Sequence, residues 1–501
     1  MKYVSIENIK KSGLLYAAVG TALVVALIRV VGSVSLFRDS ANVYCFMARE
    51  LAWGNYREAF HPAIPSLNVL LSRLFTFIGI SPEQATAIVS SSFYVLSVVF
   101  LYYLLKEFVP EKIAGFGALL YACAPKVIKF FVSSLIDSGK CFFLIAALYF
   151  FYRLIRSRFR SPVYALWTGG MLGGLALARS EAIGVSGLLF CCIAVYCLQE
   201  MIRQKKLYPF FSVLAAFFVF SVLVASRCVV NYFACGKLIF DYRIALGLEK
   251  IAAKFTGAEL NNMPIDFVST TWSHLLNQNL RGGYEVYLCF AFVGLLLFVL
   301  AAAGKNKARI YPEQNIPEWI KWNNFYFVFI AIILSNMVFF KLSGIAAYRY
   351  FLLNIPLLMI FTLAGICCFW HWFKKYVPGK LLLCVAGAAL AMQIFNGLEG
   401  AFDDLSRQKY ATGKYIGELL KQEKDKSRIW FDGNAAVEWY YSGIKRAVPI
   451  ECRRPDIEKF NDFEYVLWGS EDKFCQTLSS RKDLQEIPLL PGSRVRLFKR
   501  K

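Results

Sequence analysis

The chain has 501 residues, of which 57% are hydrophobic and 18% charged, with a mean hydropathy of +0.49. That balance excludes an ordinary soluble domain and describes a polytopic membrane protein, each span of which needs about 20 apolar residues. The net charge of +22 does not point to nucleic acid, because the basic residues gather in short turns between apolar runs, where they set topology and meet anionic headgroups.

Apolar runs broken by charge, Pro or Gly predict spans at 13–34, 84–105, 113–134, 139–156, 163–180, 182–199, 209–228, 284–303, 323–341, 349–372 and 380–399, about 11 in all. With Lys2, Lys10 and Lys11 in the cytoplasm, the turns on that side carry Lys106 and Lys112, then Arg153, Arg156, Arg158 and Arg160, then Arg203, Lys205 and Lys206. Later turns hold Lys305, Lys307, Arg309 and Lys321, then Lys374, Lys375 and Lys380, as the positive-inside rule requires. An odd number of spans places the C-terminal tail on the outer face. The first span is too long, and lacks the small-residue cleavage site, for a removed signal peptide; it reads as an uncleaved anchor, which makes Asp39 extracytoplasmic.

After Asp39, Val43, Phe46, Met47 and Leu51 recur at helical spacing opposite Asn42, Arg49 and Glu50, the pattern of a helix lying on the membrane surface. The run 63–80 is interrupted by Pro65, Asn68, Ser72 and Arg73, and reads as a helix half sunk in the interface, so interfacial helices occupy about 40–80. Counting that run as a span would return the tail to the cytoplasm. Residues 231–283 form an outer loop, and 401–501 read as a small α/β unit, with helices at 416–422 and 435–441 and strands at 428–431, 464–468 and 495–498. Its Trp430, Tyr440, Tyr441 and Trp468 are expected to fill a core rather than stack on sugars. Most of the 14 cysteines, such as Cys123, Cys191, Cys192, Cys367, Cys368 and Cys384, lie in apolar runs and read as small buried hydrophobes. Cys452 and Cys475 fall in the outer tail, where a disulfide or two free thiols are both open readings. No His/Cys cluster has zinc-ligand spacing.

A span, an Asp at its outer end, a surface helix, then His61-Pro62 and an interfacial helix is an order that resembles the GT-C superfamily of polyprenyl-phosphate-sugar glycosyltransferases, the group of the lipid A aminoarabinose transferase and the protein O-mannosyltransferases. Ala122-Cys123-Ala124-Pro125 with Leu135-Ile136-Asp137 is similar to that group's third and fourth spans. Gly173 through Arg179-Ser180-Glu181, Tyr348-Arg349-Tyr350 through Pro356, and the tail from Ser427 to Gly443 also look like its motifs. The resemblance implies a polytopic α-helical GT-C module over 1–400 and an extracytoplasmic α/β domain over 401–501. It also implies inverting transfer of a hexosyl or pentosyl unit from a polyprenyl phosphate to an acceptor lipid, glycan or protein at the outer face of a bacterial inner membrane.

Such transfer needs a base at the nucleophile, cations for the leaving phosphate and a path for the isoprenoid. Asp39, ionised at neutral pH, is the expected general base; the competing reading is a cap on the surface helix, and the resemblance favours the base. One departure is Asp39-Ser40, where protein O-mannosyltransferases have Asp-Glu, which argues against protein mannosylation. Arg349, between Tyr348 and Tyr350, is placed to grip the donor phosphate, with snorkelling to headgroups as the alternative. His61 stands where some relatives carry a Lys-Pro against that phosphate, and either donates to it or bonds a backbone carbonyl. Arg49 and Arg57 are expected to face water or headgroups. Asp137, Arg179 and Glu181 lie in outer turns as site support; their simplest reading is an Arg179–Glu181 ion pair and a helix-capping Asp137. The oxygens of Asp39 and Asp137 would suit a divalent cation, but no cofactor is expected. A flippase would keep its ionisable groups at midplane and show internal repeats, and a polysaccharide polymerase or ligase would carry a large mid-chain outer loop; charges at span ends and a folded tail favour the transferase.

Overall fold

In the chain's computed structural model the described residues are 6–32, 40–60, 67–179, 182–236, 238–241, 290–296, 325–343, 352–373, 377–399, 404–421, 428–431, 435–446, 464–469, 473–491 and 493–500. The apolar runs become long helices: α1 (Ile6–Gly32), α5 (Pro82–Lys106), α6 (Glu111–Ala122), α7 (Pro125–Phe131), α8 (Asp137–Arg156), α9 (Pro162–Ala178), α10 (Ala182–Gln204) and α11 (Tyr208–Cys235), then α12 (Phe325–Ser343), α13 (Asn354–Phe373) and α14 (Gly379–Glu399). Between α1 and α5, a π-helical turn at Ser40–Cys45 runs into α2 (Phe46–Ala52), followed by α3 (Tyr56–Ala59) and α4 (Leu67–Thr76). With ten residues, α4 is about 15 Å long, half the thickness of a bilayer's hydrocarbon core.

Local chemistry sets the boundaries. Ser81 and Ser161 cap α5 and α9, accepting from the backbone N–H of Gln84 at 3.3 Å and of Tyr164 at 3.4 Å, and Pro82 and Pro162 open the first turns. Gly236 closes α11 in the left-handed conformation, φ +71°. The run 113–134, expected as one span, is instead two helices bent by 60°. Pro125 has no N–H to continue the ladder; the Tyr121 carbonyl accepts from the Ala124 N–H at 3.2 Å instead, and the Ala122 carbonyl at the helix end accepts from the Tyr94 hydroxyl.

Among the described residues five helices are long and apolar enough to cross a membrane, and the bent α6–α7 pair makes a sixth. Shorter apolar stretches lie in α9, α12 and α13, and of the run expected at 284–303 residues 290–296 are described and helical. Small residues let the helices close on one another: a Cβ on Gly169 would sit 2.0 Å from the Ala216 carbonyl oxygen of α11. The outer flank of α11 stays open, with Phe211 61% and Phe218 67% exposed, a surface suited to acyl chains. Cys123 is buried as expected, but Cys191 and Cys384 are exposed on such flanks. Being apolar enough for lipid, a thiol there needs no protein cover.

The C-terminal unit places α15 (Asp404–Leu419) and α16 (Ala436–Ser442) with a five-stranded sheet. Its strands are β1 (Arg428–Phe431), β2 (Lys445–Arg446), β3 (Tyr465–Trp468), β4 (Leu484–Ile487) and β5 (Arg496–Arg500), ordered β2-β1-β3-β5-β4. β1 runs parallel to β2 and β3, and β5 antiparallel to β3 and β4. Trp430 and Trp468 stack at 5.3 Å in a small core with Phe498, so these indoles are packing groups. β2, β4 and a helix at Lys473–Ser480 were not legible in the sequence. Cys452 lies outside the described residues, as does the side chain of Cys475.

The helices alternate in direction, giving the bundle two ends. At one, the turns α5–α6, α8–α9 and α10–α11 meet: Arg153 and Arg156 hold Glu107 at 3.0 and 2.8 Å, and Arg160 Nε donates to the Tyr208 hydroxyl at 3.3 Å. At the other, the end of α9 meets the start of α8, the α7–α8 turn meets α5, and the start of α5 meets the C-terminal unit.

Candidate active site

Polar side chains at this second end are buried. Arg179, at the end of α9, reaches Asp137, the first residue of α8, with Nη1 3.3 Å from Oδ1; both residues are at most 5% exposed. The expected helix cap at Asp137 is not formed, and its partner is an arginine 42 positions away. Around the pair, Ser90 Oγ and Asn68 Nδ2 donate to the Leu135 carbonyl at 2.7 and 3.4 Å, and Arg29 Nε donates to the Val132 carbonyl at 3.1 Å. Buried Lys140 lies one turn beyond Asp137 on α8.

Several atoms here are unsatisfied. Asp137 Oδ2, Ser138 Oγ, Asn68 Oδ1 and Ser91 Oγ are buried without a hydrogen-bond partner. Leaving such an atom unpaired costs about 1–3 kcal/mol, so a group of them on α4, α5 and α8 marks a place for a ligand, an ion or water. Asp137 Oδ2 is an acceptor suited to a substrate hydroxyl or a hard cation. Among the described residues there is no cluster of three or more metal-ligating side chains.

The C-terminal unit lies over the segment that follows Asp39. Arg49, expected to face water or headgroups, is 8% exposed: Nη1 donates to the Tyr440 carbonyl at 3.1 Å, and the guanidinium lies 4.7 Å from the Tyr440 ring and 5.0 Å from that of Trp53. α16 thus packs on α2 through Arg49 of its polar side and through Phe46 of its apolar side, the latter against Trp439 at 5.3 Å. Tyr440 also donates its hydroxyl to Glu83 Oε1 at 2.8 Å, fastening α16 to the start of α5. On the same helix, Glu438 is 2% exposed and its Oε2 has no donor. Burial pushes its carboxyl up to about 7, against smaller opposing effects of its own backbone and Lys409.

Of the residues singled out in the sequence, the structure brings Asp137 and Arg179 together. Asp39, His61, Glu181, Tyr348, Arg349 and Tyr350 lie outside the described residues. Sequence reasoning missed Arg29, Asn68, Ser138 and Lys140. A usable signal existed for two of them, because Arg29 and Lys140 are cations set within apolar helices, where a charge is costly unless paired.

Residues 63–225 match the family model described as dolichyl-phosphate-mannose-protein mannosyltransferase. No curated protein matches the chain by sequence. Among solved structures, ArnT from Cupriavidus metallidurans bound to undecaprenyl phosphate superposes with a TM-score of 0.65 at 12% identity, over 97% of this chain and 98% of that one. The archaeal oligosaccharyltransferase AglB from Archaeoglobus fulgidus, in complex with an inhibitory peptide and a dolichol-phosphate, gives 0.52 at 12% identity, over 93% and 70%. Identities this low establish the fold, which is ArnT-like over nearly the whole chain.

Proposed function

We propose that this chain, a multi-pass membrane glycosyltransferase of the GT-C superfamily, moves one sugar from a polyprenyl-phosphate donor to an acceptor at the bundle end that holds Asp137 and Arg179. That end and the C-terminal unit lie on the outer face of a bacterial inner membrane, with the N-terminus in the cytoplasm. The observation that carries the reading is the buried Asp137–Arg179 pair with its free carboxylate oxygen, in a fold shared with a protein bound to undecaprenyl phosphate.

The reaction is a single displacement. An acceptor hydroxyl or amine attacks the anomeric carbon while Asp39 takes its proton, the bond to the phosphate oxygen breaks, and the polyprenyl phosphate departs with inversion. Arg349 and His61 neutralise the charge that develops on the leaving phosphate. Arg179 and Asp137 hold the floor of the site, with Glu181, Tyr348 and Tyr350 in support. A donor-derived isoprenoid runs along the lipid-facing helices.

The test is transfer by purified protein from radiolabelled polyprenyl-phosphate sugars to membrane extract. Wild type is expected to move label, and Asp39→Asn to lose transfer while inserting and binding donor normally. Full activity in that variant would sink the base assignment, and no transfer with any donor would favour a flippase or polymerase.

A further inference from the structure

The basic end carries a cavity that sugar transfer leaves unused. It lies between the α8–α9 and α10–α11 turns, has a volume of about 510 Å³, and is lined by Phe159, Pro162 and Phe211 on its apolar side and by Arg160, Lys206 and Tyr208 on its polar side.

The backbone around it is held in a conformation that L-residues rarely adopt. Arg158 and Phe159 have φ +53° and +61°, and Lys205 in the facing turn has φ +53°. A bulky residue at positive φ persists only where its surroundings fix it. Here they do: Phe159 is 1% exposed, and its carbonyl accepts from Ser212 Oγ at 2.6 Å across the turns. The close approach of α9 and α11 at Gly169 lies beyond, so the cavity occupies the space between their basic ends.

Charge at the cavity is unbalanced. Arg153 and Arg156 share Glu107, and Glu200 accepts from Gln204 and lies 3.9 Å from Arg203. Arg158, Arg160, Lys205 and Lys206 are exposed, and none has a carboxylate within ion-pair distance among the described residues. A cavity with cations and a phenol at its mouth and an exposed Phe211 on its wall combines the two chemistries of an anionic lipid, a phosphate and an acyl chain.

We propose that this cavity binds an anionic phospholipid of the leaflet at the basic end. Arg160 and Lys206 hold the phosphate, the Tyr208 hydroxyl, which donates to Gln204 Oε1, accepts from Arg160 Nε and orients that guanidinium, and an acyl chain lies along Phe211 and Pro162. The assignment rests on the chain crossing a membrane and on no residue of the transfer site.

Native mass spectrometry of the full chain in detergent tests it, with phosphatidylglycerol against phosphatidylcholine and inorganic phosphate as a competitor. Wild type is expected to retain phosphatidylglycerol at least tenfold better than phosphatidylcholine. Arg160→Gln with Lys206→Gln should lose that preference, while Arg158→Gln with Lys205→Gln, which removes the same charge from the same turns, should keep it. Equal loss in both pairs would show diffuse attraction and overturn the site. Displacement by millimolar phosphate would show a free-anion site and overturn the lipid. Photo-crosslinkable phosphatidylglycerol on wild type needs no variant to fold; label outside the 157–162 and 205–215 peptides would also refute the site. Neither arm reads sugar transfer, so this proposal and the transfer reading fail separately.

Discussion

The two ends of the bundle use charge in opposite ways. At the basic end, cations sit on exposed turns, and the Glu107 pairs leave Arg153 and Arg156 at 37% and 57% side-chain exposure. At the other end, Arg29, Arg49, Asp137, Lys140 and Arg179 are all at most 8% exposed. Exposed pairs contribute little because water and salt screen them. Buried ones must be matched atom by atom, and an unmatched oxygen there is a place for something else. On the function proposed above, the first arrangement serves topology and the second chemistry.

The sharpest way to break this contrast is Asp137→Ala. It removes the carboxylate paired with the buried Arg179 guanidinium, and unfolding in detergent is expected to show a loss of about 3–5 kcal/mol, with transfer falling at least a hundredfold. Adding Arg179→Met should recover most of the stability without recovering transfer. Recovery of both would reduce the pair to a structural role.

Next in size is a pH effect in the C-terminal unit. The Glu438 carboxyl keeps its proton in the folded state to about 7, whereas the unfolded chain gives it up near 4.5. Between these values the folded state binds more protons, so stability is full below the lower value and falls as pH rises, by on the order of 3 kcal/mol in total. Thermal unfolding from pH 4 to 8 reads this, and Glu438→Gln should flatten the curve. A curve of the same slope in the variant would assign it to another group.

Arg49→Ala is expected to cost about 2 kcal/mol of docking between α2 and α16, from one charged hydrogen bond and its aromatic contacts. Limited proteolysis should then release the C-terminal unit sooner, with kcat affected more than KM. Smallest of all, Glu107→Gln at the basic end should change stability by about 1 kcal/mol or less and leave transfer unchanged.

How much of this was legible follows from the range of each signal. Helix positions, the strands at 428–431 and 465–468, and the burial of Trp430 are local consequences of apolar runs and alternation. The Asp137–Arg179 pair is not local: each residue has a nearer candidate partner or role in sequence, and only the approach of α8 to α9 selects the other. Arg49 was misread for a related reason. A helical wheel divides α2 into apolar and polar sides but cannot tell water from a covering domain. The bend at Pro125 was visible in composition, yet a hydropathy window passes over it.

The bond from Arg49 to Tyr440 joins positions 391 apart. At ribosomal speeds of about 5–20 residues per second, roughly 20–80 s separate the emergence of the two partners. Through that interval the guanidinium has its local neighbours Trp53 and Glu50 but not the Tyr440 carbonyl, and its outer side meets water and headgroups. The segment beside Asp39 therefore reaches its final cover only after nearly the entire polypeptide has been made and its last fifth has folded. On the function proposed above, a variant truncated before α16 is expected to insert in the membrane with α2 uncovered and to transfer no sugar.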